Sequence, residues 1–466
     1  MSNDDRVARE RARLLDTERA IPTSRLSRLL RTGRSAGALA AATLGNRLRG
    51  KGGGLAAADV DDIARLVERL GELKGVAMKV GQILGYIDPT LPPELRGLLS
   101  LLHTASPASP FSAVEATLRD AFGERAAELI AGIEREPVAV ASIGQVHRGR
   151  VGGRRVAVKV RHPGIEEALR SDFAAASIGP VFARLLAPGS GTSVADSIEE
   201  ARAAMLEECD FALEARRQSM FRAWFDGHPT IEIPAVEDAW CAGPALTTRW
   251  APGLSLDAWL ARDPPQAARD RIGAALFELY FSTLYRRGAF HADPHPGNYA
   301  FGEDGRLIVY DFGCVRSFDA PTVRTFARLV SAVRADDLDA MVESFAALGA
   351  SPPADAEGRA TLRALLRGFF APLVRPGAHR VEPGAGLAAR DLMSDKKRLM
   401  RLALPGKLLF LFRIRFGLYA VLARIGTEVD WAAMESGWAS SALGVEPSPR
   451  ADVGRSLAPE ATAGPR

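Results

Sequence analysis

The densest concentration of reactive side chains is the run His291-Ala292-Asp293-Pro294-His295-Pro296-Gly297-Asn298, followed after a short gap by Asp311-Phe312-Gly313. In phosphoryl transfer an aspartate orients the attacking hydroxyl, and an asparagine five residues on ligates magnesium. Asp293 and Asn298 have that spacing. The apolar run Ile308-Val309-Tyr310 reads as a short strand that delivers Asp311, a carboxylate for the metal that bridges phosphates. Phosphoryl transfer needs mainly positioning and charge neutralisation, and two metal-ligating groups plus a lysine supply both. A competing pattern, H-x-D-x-H at His291, Asp293 and His295, has metal-ligand character of its own. It leaves both Lys159 and the Asp311-Phe312-Gly313 run unused and ranks below.

The lysine is Lys159. The basic residues number 60, yet lysine stands only at 51, 74, 79, 159, 396, 397 and 407. A lysine inside the apolar run Val156-Ala157-Val158-Lys159 therefore calls for a reason. Strand residues alternate faces, so Ala157 and Lys159 point one way and Val156, Val158 and Val160 the other. A small residue beside a lysine suits a nucleotide, with Ala157 against the base and Lys159 on phosphate oxygens. A buried lysine requires a carboxylate. The following helix offers Glu207, Glu208, Asp210 and Glu214. Asp210 and Glu214 share a face. Glu208 and Asp210, about 200° apart on an ideal helix, converge only if the helix is distorted or begins there. Glu199, Glu200 and Glu207 read as a solvated acidic face.

The elements that must position these groups follow from periodicity. Residues 59–86 and 111–133 read as helices, ended in the first case by Pro89, Pro92 and Pro93. Val146 to Val151, Gly152-Gly153 and Arg154 to Val160 read as a hairpin with a two-residue turn. A long helix over about 194–225, strands near 231–236 and 244–250, and a helix over 255–288 follow. His291 to Asn298 is a loop, Leu307 to Tyr310 a strand, and the chain to about 432 is mostly helical. Five segments result: a basic, partly helical 1–50; a helical extension 51–133; a β-rich lobe 134–250; a helical lobe 251–432; and a mostly disordered tail 433–466.

Before the lysine strand, Pro137-Val138-Ala139-Val140-Ala141-Ser142-Ile143-Gly144 holds one glycine where phosphate-covering loops usually hold several. Alanines restrict the backbone and keep a Cβ near the phosphates, so this loop should bind nucleotide differently. Far upstream, Lys79 and Gln82 share a helix face. Taken alone, they read as an amphipathic surface.

Bulk properties narrow the class. With 466 residues, 47% apolar and 25% charged, the chain is an ordinary globular protein of two or three lobes. A net charge of +4 without basic blocks gives no sign of a nucleic-acid partner. Cys209, Cys241 and Cys314 lack CxxC spacing, which points away from disulfides and zinc and towards a reduced cytoplasmic setting. No apolar leader is visible at the N-terminus. The most apolar stretch, Leu402 to Ile425, carries Lys407, Arg413, Arg415 and Arg424 and reads as core helix, so no transmembrane helix is expected.

Taken together, these motifs resemble the UbiB/AarF family of atypical kinases, over roughly residues 20–430. Its carriers are Lys79-Val80-Gly81-Gln82 (KxGQ), the alanine-rich loop from Ala139 to Ser142, the lysine strand, Glu208-Cys209-Asp210 with Glu214-Ala215, the His291 to Asn298 loop, and Asp311 to Gly313. The resemblance implies an α+β, bilobal protein-kinase-like fold with a small β-rich N-lobe, a helical C-lobe and an N-terminal helical extension. It implies ATP and Mg2+ as cofactors, and a Lys159–Glu214 pair. Glu208 and Asp210 would meet the KxGQ helix over the site, and that helix would occlude a protein-substrate groove. Nucleotide binding would fall to Ala139, Ala141, Ser142, Ala157, Lys159, Lys79, Gln82, Glu208 and Asp210, metal binding to Asn298 and Asp311, and the catalytic base to Asp293. The implied activity is ATPase or small-molecule kinase chemistry supporting isoprenoid-quinone biosynthesis or lipid homeostasis. A prenylated quinone precursor or lipid would be the ligand, with peripheral contact on the inner face of a membrane. The alternative is a pseudokinase-type binding module switched by nucleotide. Val140 interrupts the usual alanines, and Arg249 stands where the hinge often carries an acid.

Overall fold

The computed structural model describes residues 108–141, 143–167, 170, 206–382 and 406–444. Lys79, Gln82, Ser142, the 1–50 segment, and the stretches 194–205 and 445–466 lie outside the described residues, as does the KxGQ half of the extension. Two helices come first, α1 (Phe111–Phe122) and α2 (Ala126–Gly132). Strands β1 (Ala139–Val140), β2 (Gly144–Val151) and β3 (Arg154–Arg161) follow, then α3 (Phe211–Trp224), β4 (Ile231–Glu232) and β5 (Ala245–Arg249). The larger lobe holds α4 (Leu256–Leu260), α5 (Gln266–Arg287), β6 (Ala289–His291), β7 (Tyr299–Phe301), β8 (Leu307–Val309) and β9 (Val315–Ser317). It continues through α6 (Ala320–Ala335), α7 (Leu338–Ala347), α8 (Ala356–Phe369), α9 (Ala371–Val374), β10 (His379–Arg380), α10 (Gly406–Ile425), β11 (Glu428–Val429) and α11 (Trp431–Ala442).

The small lobe is an antiparallel sheet in the order β1-β2-β3-β5. Its hairpin forms where the sequence places it, because Gly152 and Gly153 both adopt positive φ, 54° and 78°, as a two-residue primed turn demands. Val156, Val158 and Val160 are buried against Val114, Leu118, Ala126 and Leu129 of α1 and α2. The helices read as part of an extension thus cover the back of the sheet, and Ala157 and Lys159 are left on the other face. Gly144 begins β2, and a Cβ there would come within 2.6 Å of the Val160 carbonyl. The single glycine of the alanine-rich stretch is thus there for strand contact.

The large lobe is built around α5, which is buried along most of its length and ends on Gly288 at φ 63°. The helix expected over 255–288 is two helices, interrupted where Asp263, at φ 48°, precedes Pro264-Pro265. The helix expected over about 194–225 is broken among the described residues: 206–208 are helical, 209–210 are not, and α3 follows. α3 starts at Phe211 because the Asp210 side chain caps it, accepting from the Ala212 and Leu213 amides at 3.0 Å each. The expected tail from 433 also needs correction. Trp431, Met434, Glu435, Trp438 and Ala439 of α11 are buried, and the Trp431 ring meets Phe277 of α5 at 5.0 Å. Among the described residues no helix is long and apolar enough to cross a membrane. α10 carries Arg415 fully buried, and a Cβ on its Gly417 would collide with Pro294.

Candidate active site

Two loops make the site, and two small sheets hold them. β6 pairs antiparallel with β9 (His291 opposite Val315), and β7 pairs antiparallel with β8 (Tyr299 opposite Val309). The loop from Ala292 to Asn298 leaves β6 and returns through a 3-10 turn, Pro296–Asn298, into β7. The Asp311 segment crosses from β8 to β9. Backbone bonds close both ends: Ala292 N–H to Cys314 O at 2.8 Å, and Tyr310 N–H to Asn298 O at 3.0 Å. Asn298 and Asp311 are neighbours for that reason.

His291 is buried and works inside the scaffold. Its Nε2–H donates to the Asp311 carbonyl at 2.8 Å and its Nδ1 accepts from the Asp293 amide at 3.4 Å. Burial lowers its pKa, which suits this neutral form. Its ring meets Phe312 at 5.5 Å and Phe221 of α3 at 6.4 Å, and Phe221 meets Phe312 at 5.0 Å. An aromatic column therefore ties α3 to both loops. His295 Nδ1 accepts from its own turn, from Gly297 N–H at 3.0 Å. Among the described residues no three His, Cys, Asp or Glu side chains converge as a metal site, so the H-x-D-x-H reading fails on geometry.

The charged centre is Lys159. Its Nζ donates to Glu214 Oε1 at 2.8 Å, Glu214 Oε2 at 2.9 Å and Asp311 Oδ2 at 3.1 Å. It also lies 4.9 Å from the Phe211 ring centroid. Burial alone would depress the lysine pKa, but the Asp311 and Glu214 charges outweigh it and the net shift is upward. Burial pushes Glu214 up to about 7, against the pull of Lys159. Burial would raise Asp311 as well. The Lys159 charge and the Gly313 N–H on Oδ1 (3.0 Å) bring it down to about 2 instead. Asp311 is thus fully ionised at neutral pH.

Asp293 is held from behind. Its carbonyl accepts from the Tyr280 hydroxyl at 2.9 Å, and Tyr280 bonds in turn to Tyr299. Asn298 Nδ2 donates to Asp293 Oδ2 at 2.8 Å and to its carbonyl at 3.2 Å. That leaves Asn298 Oδ1 as the amide's acceptor atom. The alanine-rich loop turns tightly, Ala141 N–H to Gly144 O at 2.8 Å, and the Ala141 carbonyl accepts from His162 at 3.3 Å. Ala139 pairs with Val146, and Ala157 sits half-buried in β3 between Arg148 and Thr248. Glu208 is half-buried at the end of the helical residues 206–208 that precede α3, while Asp210 serves as cap. Their expected partners Lys79 and Gln82 lie outside the described residues.

Sequence reasoning set Glu207 aside as a solvated acid, and this is corrected. Its carboxylate receives Arg217 at 2.5 Å and Arg316 at 2.6 Å. The nearest sequence signal was Arg217, three residues past Glu214 on the same helix. Tyr280 and Tyr299 left no signal, because a tyrosine that bonds a carbonyl reads as an ordinary core aromatic.

A lysine strand, a partnered glutamate and paired Asn/Asp loops between two lobes define a protein-kinase-like molecule. The family described as ABC1 atypical kinase-like domain matches residues 101–345, more than half of the chain, and the protein belongs to that family. It is the family whose motifs the sequence resembles. "Atypical kinase coq-8, mitochondrial" of Caenorhabditis elegans is 29% identical over 351 residues, 70% of this chain and 45% of that protein. A Synechocystis protein called uncharacterized is 31% identical over 287 residues, 59% of this chain and 70% of its own. The chain thus spans less than half of the worm relative. The solved complex of Rv3197 with erythromycin from Mycobacterium tuberculosis aligns with a TM-score of 0.56 at 28% identity, covering 80% of this chain and 94% of that one.

Proposed function

We propose that this protein binds Mg-ATP and works as a UbiB-type atypical kinase or ATPase that supports isoprenoid-quinone biosynthesis or lipid homeostasis. The observation that carries the reading is Lys159 held between Glu214 and Asp311. Nζ has three carboxylate oxygens within hydrogen-bond reach. Glu214 faces it with both its oxygens and fixes the lysine in place; the contact to Asp311 is the one a phosphate can replace. Relatives named as COQ8 atypical kinases support the quinone side of the reading.

The residues suit a magnesium ion, which is hard and prefers oxygen. Asp311 is ionised, and Asn298 has spent its NH2 on Asp293 and keeps Oδ1. Asn298 and Asp311 would hold the ion, which when bound neutralises phosphate charge. Around it, Lys159 binds phosphate oxygens, Ala157 lies against the base, and the alanine-rich loop shields the phosphates. Asp293, its carbonyl anchored by Tyr280, orients the attacking hydroxyl or water through its carboxylate. A prenylated quinone precursor is the proposed acceptor or activator, met at a membrane surface.

Thermal-shift titration with Mg-ATP tests the site. The wild type should be stabilised, and Asp311→Asn should lose that response. No shift in the wild type, or an undiminished one in Asp311→Asn, sinks the assignment. Phosphate release with and without prenylated phenol lipids separates turnover from a nucleotide-switched binding role. Turnover abolished by Asp311→Asn establishes an enzyme.

A further inference from the structure

We propose that Glu207 is a positioning residue for the metal-binding loop, a latch that holds Asp311 in register from the helical residues just before α3. The inference rests on the reading of Asp311 as a metal ligand. Glu207 Oε1 takes Arg217 Nη2 at 2.5 Å and Glu207 Oε2 takes Arg316 Nη1 at 2.6 Å. Arg217 spends its other nitrogen on the Gly313 carbonyl at 2.9 Å. The Gly313 amide, in turn, donates to Asp311 Oδ1 at 3.0 Å. Arg316 lies in β9 opposite Phe290 of β6, so it belongs to the strand that closes both loops. A continuous path of charge-assisted hydrogen bonds therefore runs from Glu207 to the carboxylate that faces Lys159.

The burial pattern gives the path its weight. Arg217 is only 13% exposed, and Glu207 and Arg316 are each 30% exposed. One carboxylate separates two guanidinium groups. Neutralising it leaves two cations facing each other beside Gly313, and bonds to charged groups are among the stronger in proteins. The strain falls on the 311–316 segment, because α3 is fixed on its other side by Glu214, Phe211 and Phe221 in the core. Glu207 also adjoins Glu208 and Asp210. A displacement of these residues would reach Asp311 through Arg217 and Gly313.

The test uses full-length Glu207→Gln, Arg316→Gln and the double variant, with two readouts. In nucleotide-free protein, amide hydrogen exchange over residues 311–317 should quicken about tenfold in each single variant, while the β2–β3 hairpin stays as in the wild type. Unchanged exchange in both single variants overturns the latch, whatever the nucleotide chemistry proves to be. In the second readout, magnesium titration against a fluorescent ATP analogue should shift the half-saturating metal concentration upward by about tenfold. The double variant should be no worse than Glu207→Gln alone, since losing that carboxylate already removes the Arg316 contact. A lower melting temperature with wild-type exchange and wild-type metal dependence would mean a merely structural ion pair and overturns the proposal. If the wild type binds no Mg-ATP, the reading of the site fails, and the exchange experiment still decides the latch.

Discussion

Among the described residues, two buried ionic clusters are built differently. In the cleft, Lys159 meets both oxygens of Glu214 and one of Asp311 and stays 15% exposed. In the large lobe, Arg415 and Glu435 form a two-point pair, Nη1 to Oε2 at 2.8 Å and Nη2 to Oε1 at 2.6 Å, with both side chains sealed from solvent. Tyr285 adds a bond to Glu435 at 2.7 Å and Tyr419 one to Arg415 at 3.2 Å. The Arg415 guanidinium also lies 3.9 Å from the centroid of Phe281. Burial drives the Tyr285 hydroxyl pKa well up, so that it remains a donor. The contrast separates two uses of buried charge. The sealed pair joins α5, α10 and α11 and has no partner to exchange. The cleft cluster sets two carboxylates on one lysine, and its Asp311 contact is the one that the proposed Mg-ATP would exchange.

The largest effect should come from the sealed pair. Glu435→Gln leaves Arg415 buried without its counter-charge and should cost about 3–5 kcal/mol in urea unfolding. Replacing both partners together, Arg415→Met with Glu435→Leu, should recover most of that loss. A single variant as stable as the wild type would mean that the pair is not what holds the three helices. Next in size, Lys159→Met leaves two carboxylates facing each other and should cost about 2 kcal/mol. It should also erase the Mg-ATP thermal shift, and pairing it with Glu214→Leu should restore stability but not that shift. Restoration of both would erase the distinction between the clusters.

The smallest effect concerns acid. Asp311 has its pKa lowered to about 2 in the folded protein. Its contribution to stability is therefore present above the ordinary carboxylate range near pH 4, and is lost as pH falls towards 2. The ligand-free Asp311→Asn variant should show a shallower fall of urea midpoint between pH 4 and 2. An identical slope would mean that Lys159 does not hold Asp311 charged.

Much of the site could be read in advance because it depends on local order. The β2–β3 hairpin is written in Gly152-Gly153 and in alternation, and Asp293, Asn298 and Asp311 sit on loops whose spacing is itself the signal. Asp210 shows the boundary of such reading. Periodicity carried a helix through it, and only the capping geometry stops the helix there. Glu207 shows what lies beyond. Its partners are 10 and 109 positions away, and nothing in an arginine-rich sequence marks which arginines fold back onto one acid. The end of the chain misled for a compositional reason. Alanine, serine and glycine around Trp431, Met434 and Trp438 dilute an apolar face that α5 in fact covers.

The contact between Gly417 and Pro294 bears on what counts as a domain here. The matched segment ends at residue 345, yet the loop bearing Asp293 rests against α10, which begins 61 residues later at Gly406. A protein shortened to the matched segment would keep Lys159, Glu214, Asp293, Asn298 and Asp311 and would lose the wall behind them. Phe277, Phe281 and Tyr285 would be stripped of cover, an invitation to aggregation. The inherited module and the autonomous folding unit therefore have different ends, and expression of a soluble fragment should require the chain through α11.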